Sequence, residues 1–381
     1  MTSTSRTMPY LPPEIIDEIL RDERLDDCDL ASCCLVSRTW INSARKSLYD
    51  SLIFHVQEHT QLHPGSDPSS APLSPHHLDR RSSQLFTTLL SNRALGSFVR
   101  FIELSEACRE SCLIDREVVW MRPEEVISNL ACLCPDTKAL DLEYSPSSLD
   151  SCIKVIQTDW TKVSEIRVGS VTRRTWEQLC YVDSLRGVTL YDFVIASSSS
   201  PGDPVIPVHI TELYVYECDL SAFETLRVST SSVLHDLGVP LTVVSELRLS
   251  DFPQIISLTL YEAYEEDTLE EEESIPFLED LATSKSLKRL ALSARVLRSI
   301  LPPTGKLGHF LPSSCRRVDL FRCQSSGTIA SVIQQSRVGS RIRQLGLPCD
   351  EKEKKDNVHK EFLVATRALL DLAGVELIWR G

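Results

Sequence analysis

The feature that most constrains this chain is a short strand motif that recurs while the sequence around it does not. Two apolar residues bracket a central one in Phe101-Ile102-Glu103-Leu104, Ala139-Leu140-Asp141-Leu142, Glu165-Ile166-Arg167-Val168, Gly187-Val188-Thr189-Leu190 and Glu212-Leu213-Tyr214-Val215. The motif returns in Glu246-Leu247-Arg248-Leu249, Ser257-Leu258-Thr259-Leu260, Arg289-Leu290-Ala291-Leu292, Arg317-Val318-Asp319-Leu320 and Gln344-Leu345-Gly346-Leu347. Such alternation turns successive side chains to opposite faces of a strand, so each unit offers one apolar face that it cannot cover by itself.

The first apolar residues of successive units lie 38, 26, 22, 25, 34, 11, 32, 28 and 27 positions apart. Most of these intervals fall at or above the roughly 20 to 29 residues of a leucine-rich repeat. Helix-like stretches separate the strands at Leu85 to Leu95, Pro123 to Cys134, Trp176 to Val182, Pro276 to Thr283 and Thr328 to Val338. Strand, turn, helix and turn at that period describe an open solenoid, in which neighbouring units bury a continuous core. The fold class predicted is therefore α/β: an irregular leucine-rich-repeat-like solenoid with a mostly parallel sheet. The step of 11 from Leu247 to Leu258 is too short for a parallel return. Either one of those segments is not a ladder strand, or the two form a local hairpin around Asp251-Phe252-Pro253. Glu351 to Ala373 reads as a charged helix that caps the array and leads into a last strand at Val375 to Trp379.

Ahead of the array, residues 9–54 read as helices. Leu11, Ile15, Ile16, Ile19 and Leu20 form one apolar stripe, and Pro12 and Pro13 fall in the first turn, where a missing N–H costs nothing. A polar stretch from Arg21 to Asp29 precedes a second apolar run, Leu30 to Val36. Ser37 then offers an N-cap to a third helix with Trp40, Ala44, Leu48 and Leu52 at i+4 spacing. The segment 63–83 holds four prolines, a glycine and several serines and reads as a linker or mobile loop, leaving 84–381 for the repeat body.

The three-helix stretch resembles the F-box in its fungal form. The resemblance is carried by Leu11-Pro12-Pro13-Glu14-Ile15-Ile16, by Asp29-Leu30, by Cys34-Leu35-Val36-Ser37-Arg38-Thr39-Trp40, by Ser43-Ala44-Arg45 and by Leu48-Tyr49. It implies docking to the Skp-type adaptor of a cullin–RING ubiquitin ligase, with the rest of the chain receiving a protein substrate and no catalytic residues of its own. The positions that match the family's adaptor-contacting or bundle-forming set are Leu11, Pro12, Ile15, Ile19, Leu20, Leu30, Leu35, Val36, Trp40 and Leu48. One departure is visible: the family places a leucine about three residues past the first helix, whereas Arg21-Asp22-Glu23-Arg24 precedes Leu25 here. The physical reading agrees, since so small a bundle gains stability by covering its apolar stripe with a partner.

Composition narrows the alternatives. Forty lysines and arginines against 54 aspartates and glutamates give a net charge of -14, which disfavours nucleic acid and anionic membrane surfaces as partners. Seven of those carboxylates fall between Glu265 and Glu273, either as a solvated loop kept extended by its own charge or as a patch that recruits a basic partner. No apolar run reaches the roughly 20 residues of a membrane span and no signal peptide is visible. The odd count of 13 cysteines fits reduced, buried thiols in the cytoplasm or nucleus. Phosphate-cradling glycine strings and a G-x-S-x-G elbow are missing, so no cofactor is nominated. His55-Val56-Gln57-Glu58-His59 matches H-x-x-E-H, yet its surroundings are β-prone where a zinc site needs a helix. Cys108, Cys112, Cys132 and Cys134 lack the twin spacing of a metal site. The competing reading is a non-catalytic repeat scaffold outside ubiquitin ligases, with the helices as an N-terminal cap.

Overall fold

Alternation becomes strand wherever a predicted tetrad can pair on both sides. The computed structural model describes residues 11–20, 25–36, 38–58, 76–106, 120–121, 123–142, 146–194, 209–230, 232–262, 271–301, 310–321, 343–348 and 376–380. The chain divides into two units, residues 1–167 and 168–381.

The first unit begins with α1 (Pro13–Leu20), α2 (Asp27–Val36) and α3 (Arg38–Leu48), followed by β1 (Ser51–Glu58), β2 (His76–Leu78), α4 (Arg80–Ser91) and α5 (Arg93–Gly96). It continues with β3 (Phe101–Glu106), β4 (Trp120–Met121), α6 (Pro123–Leu133), β5 (Ala139–Leu142) and α7 (Pro146–Asp159). Its strands lie in the order β5-β3-β1-β2-β4. β3 runs parallel to both β1 and β5, while β2 is antiparallel to β1 and to β4. Two rows of buried side chains cross the parallel strands, Leu52–Ile102–Leu140 and Phe54–Leu104–Leu142.

Leu52 therefore does not continue the third helix, as its spacing from Leu48 had predicted. α3 ends at Leu48, and the apolar residues that follow switch to a period of two: Leu52, Phe54 and Val56 are buried while Ser51 and Ile53 are exposed. The backbone N–H groups of Arg100 and Phe101 both donate to the carbonyl of Asp50, tying the residue before β1 to the start of β3. The helical bundle thus runs straight into the first ladder strand. Of the stretch 63–83 read as a linker, residues 63–75 lie outside the described residues. Residues 76–83 form β2 and the first turn of α4, where the Asp79 carboxylate accepts from the Ser82 N–H at 2.7 Å as an N-cap.

Strand β6 (Glu165–Thr172) carries the chain from the first unit into the second. The second unit comprises α8 (Arg173–Cys180), β7 (Gly187–Val194), β8 (Glu212–Cys218), α9 (Leu220–Thr230), β9 (Asp236–Pro240), β10 (Ser257–Tyr261), α10 (Glu271–Thr283), β11 (Arg289–Ser293), α11 (Ala294–Ile300), β12 (Arg317–Phe321), β13 (Gln344–Pro348) and β14 (Glu376–Arg380). From β7 to β14 the strands neighbour one another in chain order and every adjacent pair is parallel. Val188, Leu213, Leu237, Leu258, Leu290, Val318 and Leu345 stand in one register row, each 2% exposed or less. Burying a leucine or valine side chain to this degree stabilises by about 1.5–3 kcal/mol, so the row is the spine of the unit.

The tetrad Glu246-Leu247-Arg248-Leu249 is the exception, and the difference has a clear cause. Its leucines are buried at 0% and 3%, but the segment forms 3-10 turns at Leu241–Glu246 and Leu249–Asp251. The Asp280 carboxylate of α10 accepts from the backbone N–H groups of Leu249 and Ser250, donors that a strand would give to a neighbour. The ladder position belongs instead to β9, Asp236-Leu237-Gly238-Val239-Pro240, which the alternation rule passed over. With Leu237 in place the short interval disappears. Helices α7, α9 and α11 fall outside the helix-like stretches read from the sequence, and α10 starts at Glu271, within the acidic run. Thr328 to Val338 and Glu351 to Ala373 lie outside the described residues.

Two buried indoles find hydrogen-bond acceptors. The indole of Trp160 donates to the carbonyl of Cys134 at 3.0 Å, and that of Trp176 to Oγ of Ser229 at 3.1 Å, which fixes both as core residues at 1% exposure. Cys134, Cys152, Cys180 and Cys315 are buried thiols, whereas Cys28 and Cys132 are exposed.

Candidate functional site

The bundle is assembled from short helices whose ends are held locally. The carbonyl of Pro12 accepts from the N–H groups of Ile15 and Ile16 at 3.1 and 3.2 Å, so the proline opens α1 without interrupting it. α2 begins from a reciprocal cap: Oδ1 of Asp26 accepts from the Asp29 N–H at 2.8 Å, and Oδ2 of Asp29 accepts from the Asp26 N–H at 3.4 Å. The stretch that looked like an interruption thus supplies the start of the second helix. Ser37, the expected cap of α3, lies outside the described residues.

Both α1 and α2 pack on α3. The core they share holds Ile16, Leu20, Leu30 and Ala44, with Leu25, Cys33, Cys34, Trp40 and Leu48 half-buried against it. Leu25, displaced by the Arg21–Arg24 insertion, still joins the core. It was not singled out because its spacing departs from the family's, although its isolation among polar residues was the available signal.

The ten residues predicted from the sequence separate into two groups. Leu20 and Leu30 are buried at 2% and 7%, and Trp40 and Leu48 are half-buried on the same core, so these four hold the bundle together. The other six are exposed. Leu11, just before α1, and Ile15 and Ile19 within it stand 41%, 42% and 42% open to water, and Pro12 is exposed next to Leu11. At the end of α2, Leu35 is 88% and Val36 66% exposed.

Leu11, Ile15, Ile19, Leu35 and Val36 are thus large apolar side chains left open to water on a small folded module. Each would remove about 25 cal/mol per Å² of apolar area from water when covered, and isoleucine and leucine at i and i+4 are what helix-in-groove contacts use.

The histidine motif resolves differently. His55 lies in β1, where its N–H donates to Oγ of Ser82 at 2.8 Å and its Nδ1 sits 2.8 Å from Oγ of Ser105. His59 and His63 lie outside the described residues. Among the described residues, no helix is long and apolar enough to cross a membrane.

Comparisons with known proteins place the bundle. Residues 8–55 match the family model described as F-box-like. No curated protein matches the chain. Among solved structures, the chain is similar to the crystal structure of the Rad7 and Elc1 complex in yeast, at 12% identity over 97% of this chain and 93% of that one, with a TM-score of 0.34. At its N-terminus, over residues 8–55, the chain carries an F-box-like domain.

Proposed function

We propose that this protein is the substrate-recognition subunit of a cullin–RING ubiquitin ligase of the SCF type. The observation that carries the reading is the coincidence of an F-box-like domain with exposed apolar side chains at the positions the family uses, Leu11, Pro12, Ile15, Ile19, Leu35 and Val36. In this reading those six residues dock a Skp-type adaptor and, through it, the cullin. The leucine-rich-repeat-like body presents a target protein for ubiquitin transfer and degradation in the cytoplasm or nucleus. The subunit contributes no chemistry. Holding substrate and ubiquitin-carrying enzyme in one assembly raises their effective concentration, and that proximity is the acceleration.

Reconstitution tests the reading. Purified full-length protein, adaptor, cullin and RING subunit are expected to co-elute as one complex and to support ubiquitin chain formation when the ubiquitin-carrying enzyme is added. A chain that stays apart from the adaptor under these conditions removes the proposal.

The second reading, a repeat scaffold outside ubiquitin ligases, draws on the direct passage of α3 into β1. A cap fused to the ladder in this way would serve stability, and deletion of residues 1–49 distinguishes the two.

A further inference from the structure

Charge is unevenly distributed along the chain. Between Leu281 and Cys349 there are twelve lysines and arginines and a single carboxylate, Asp319, although the whole chain carries -14. Six of the twelve, Lys285, Lys288, Arg289, Arg316, Arg317 and Arg343, stand at or just before the starting ends of the adjacent parallel strands β11, β12 and β13. Backbone hydrogen bonds fix which of them are neighbours. Through Thr211, His235, Ile256, Lys288, Arg316 and Arg343, in that order, each N–H donates to the carbonyl of the residue before it in the row, at 2.7 or 2.8 Å. Lys288, Arg316 and Arg343 are therefore consecutive in a row that holds no carboxylate, about 4.8 Å from strand to strand, and all three are exposed. Oγ of Ser314 donates to the carbonyl of Ser284 at 3.2 Å, which ties the turn before Arg316 to the turn that bears the exposed Lys285.

One residue further along, Arg289 and Arg317 stand in register and share the one carboxylate. Each donates from Nε to Asp319, at 2.5 and 2.9 Å. Asp319 is 2% exposed, whereas the arginine side chains keep 27% and 26% of their surface in water. Two cations on one buried anion leave a surplus positive charge at the surface. A guanidinium has five N–H donors, and the bond to Asp319 orients each one before any ligand arrives, which lowers the ordering cost of binding.

The surroundings set the size of the ligand as well as its sign. The cations span three strands, about 10 Å. In the register row of Arg289 and Arg317 the sign reverses beyond Ser257, where β9 and β8 carry Asp236 and Glu212. A long polyanion would run off the cations onto those carboxylates and onto a chain that is negative elsewhere. A few carboxylates on an extended peptide fit, because alternate side chains lie about 6.7 Å apart on one face and arginine receives a carboxylate with paired N–H groups. We infer that the exposed row Lys288–Arg316–Arg343, with Arg289 and Arg317 beside it, docks a short carboxylate-rich stretch in an extended segment of a partner protein. The inference deepens the proposed function and rests on its reading of the body as the receptor.

The probe is a fluorescein-labelled synthetic peptide of alternating glutamate and glycine, titrated against the full chain by fluorescence anisotropy at about 150 mM salt, where distant charges are screened. Lys288→Gln and Arg316→Gln are each expected to weaken binding about threefold, the size of an exposed ion pair. Reversing both, as Lys288→Glu with Arg316→Glu, is expected to weaken it more than about twentyfold, because like charges then face each other. Lys154→Gln, at an exposed cation on α7 of the first unit, is expected to leave binding within about 1.5-fold. Thermal unfolding checks that the variants fold, and Lys288→Glu with Arg343→Glu replaces the double variant if that one does not. The inference is overturned if the double variant binds as wild type or if Lys154→Gln weakens binding as much as Lys288→Gln. It is overturned equally if the chain ignores the glutamate peptide and instead binds a phosphoserine peptide, single-stranded RNA, phosphatidylserine vesicles or a second copy of itself through these residues. Adaptor capture measured on the same preparations separates the two ideas: the charge variants are expected to retain the adaptor, whereas loss of adaptor binding by the wild-type chain would count against the ligase reading instead.

Discussion

The bundle and the parallel ladder use the same kinds of apolar residue and treat them oppositely. In the ladder, Leu213, Leu237, Leu258 and Leu290 are at most 1% exposed, each covered by the next strand in register. In the bundle, Ile15, Ile19 and Leu35 stand 42%, 42% and 88% open. A ladder leucine is satisfied by its own chain. A bundle isoleucine of this kind is left uncovered by its own chain, and that contrast separates the two regions.

The largest effect is expected from where the chain is cut. A fragment beginning at residue 84 lacks β1 and β2 and leaves Ile102 and Leu104 without the strand that covers them, so it should be insoluble or unfolded by circular dichroism. A fragment beginning at Asp50 keeps β1 and should unfold cooperatively. If it fails as badly as the shorter one, the bundle is a structural cap and the contrast between the regions collapses.

Within the ladder, Leu258→Ala should cost about 3 kcal/mol in urea unfolding, in the range for a fully buried leucine. The thiols give a pH test of the same interior. Burial pushes Cys134, Cys152 and Cys180 up from 9.0 to about 12, so the folded state keeps protons that the unfolded state loses. Their contribution is fully present below about pH 9 and is lost as pH rises from there toward about 12. Urea midpoints at pH 8 and pH 10.5 should show that fall, and a thiol reagent at pH 8 should modify Cys28 and Cys132 while sparing the buried three.

Two glycines differ instructively. A Cβ on Gly96 would meet the carbonyl oxygen of Leu133 at 1.8 Å, whereas one on Gly238 meets only tyrosine rings that can swing. Gly96→Ala should therefore cost more, about 3 kcal/mol against about 1 kcal/mol for Gly238→Ala, both read by thermal unfolding. The smallest stability effect belongs to the bundle surface, where Ile15→Ser or Leu35→Ser should change unfolding by no more than about 0.5 kcal/mol.

Much of this division was legible in the residues. Strand tetrads at nine positions signalled the ladder because burial on one face enforces a period of two, and the L-P-P-E and L-V-S-R-T-W strings marked the bundle. What escaped did so for physical reasons. β9 reads Asp-Leu-Gly-Val-Pro, with the glycine and proline that normally argue against a central strand, and only its neighbours' tyrosines explain the glycine. The tetrad at Glu246 to Leu249 had the right pattern, but the Asp280 carboxylate on another element claims its backbone donors. In the bundle, periodicity put Leu20 and Ile19 on one stripe, and which of them faces inward was decided by packing on α3.

The most direct measurement is titration of the full-length protein with a purified Skp-type adaptor by isothermal calorimetry, beside the double variant Ile15→Ser with Leu35→Ser. The expected result is a saturable complex for the wild type, lost in the variant while its unfolding temperature stays unchanged. A wild-type chain that binds no adaptor, or a folded variant that binds it equally well, would contradict the assignment of the exposed bundle face as the docking site.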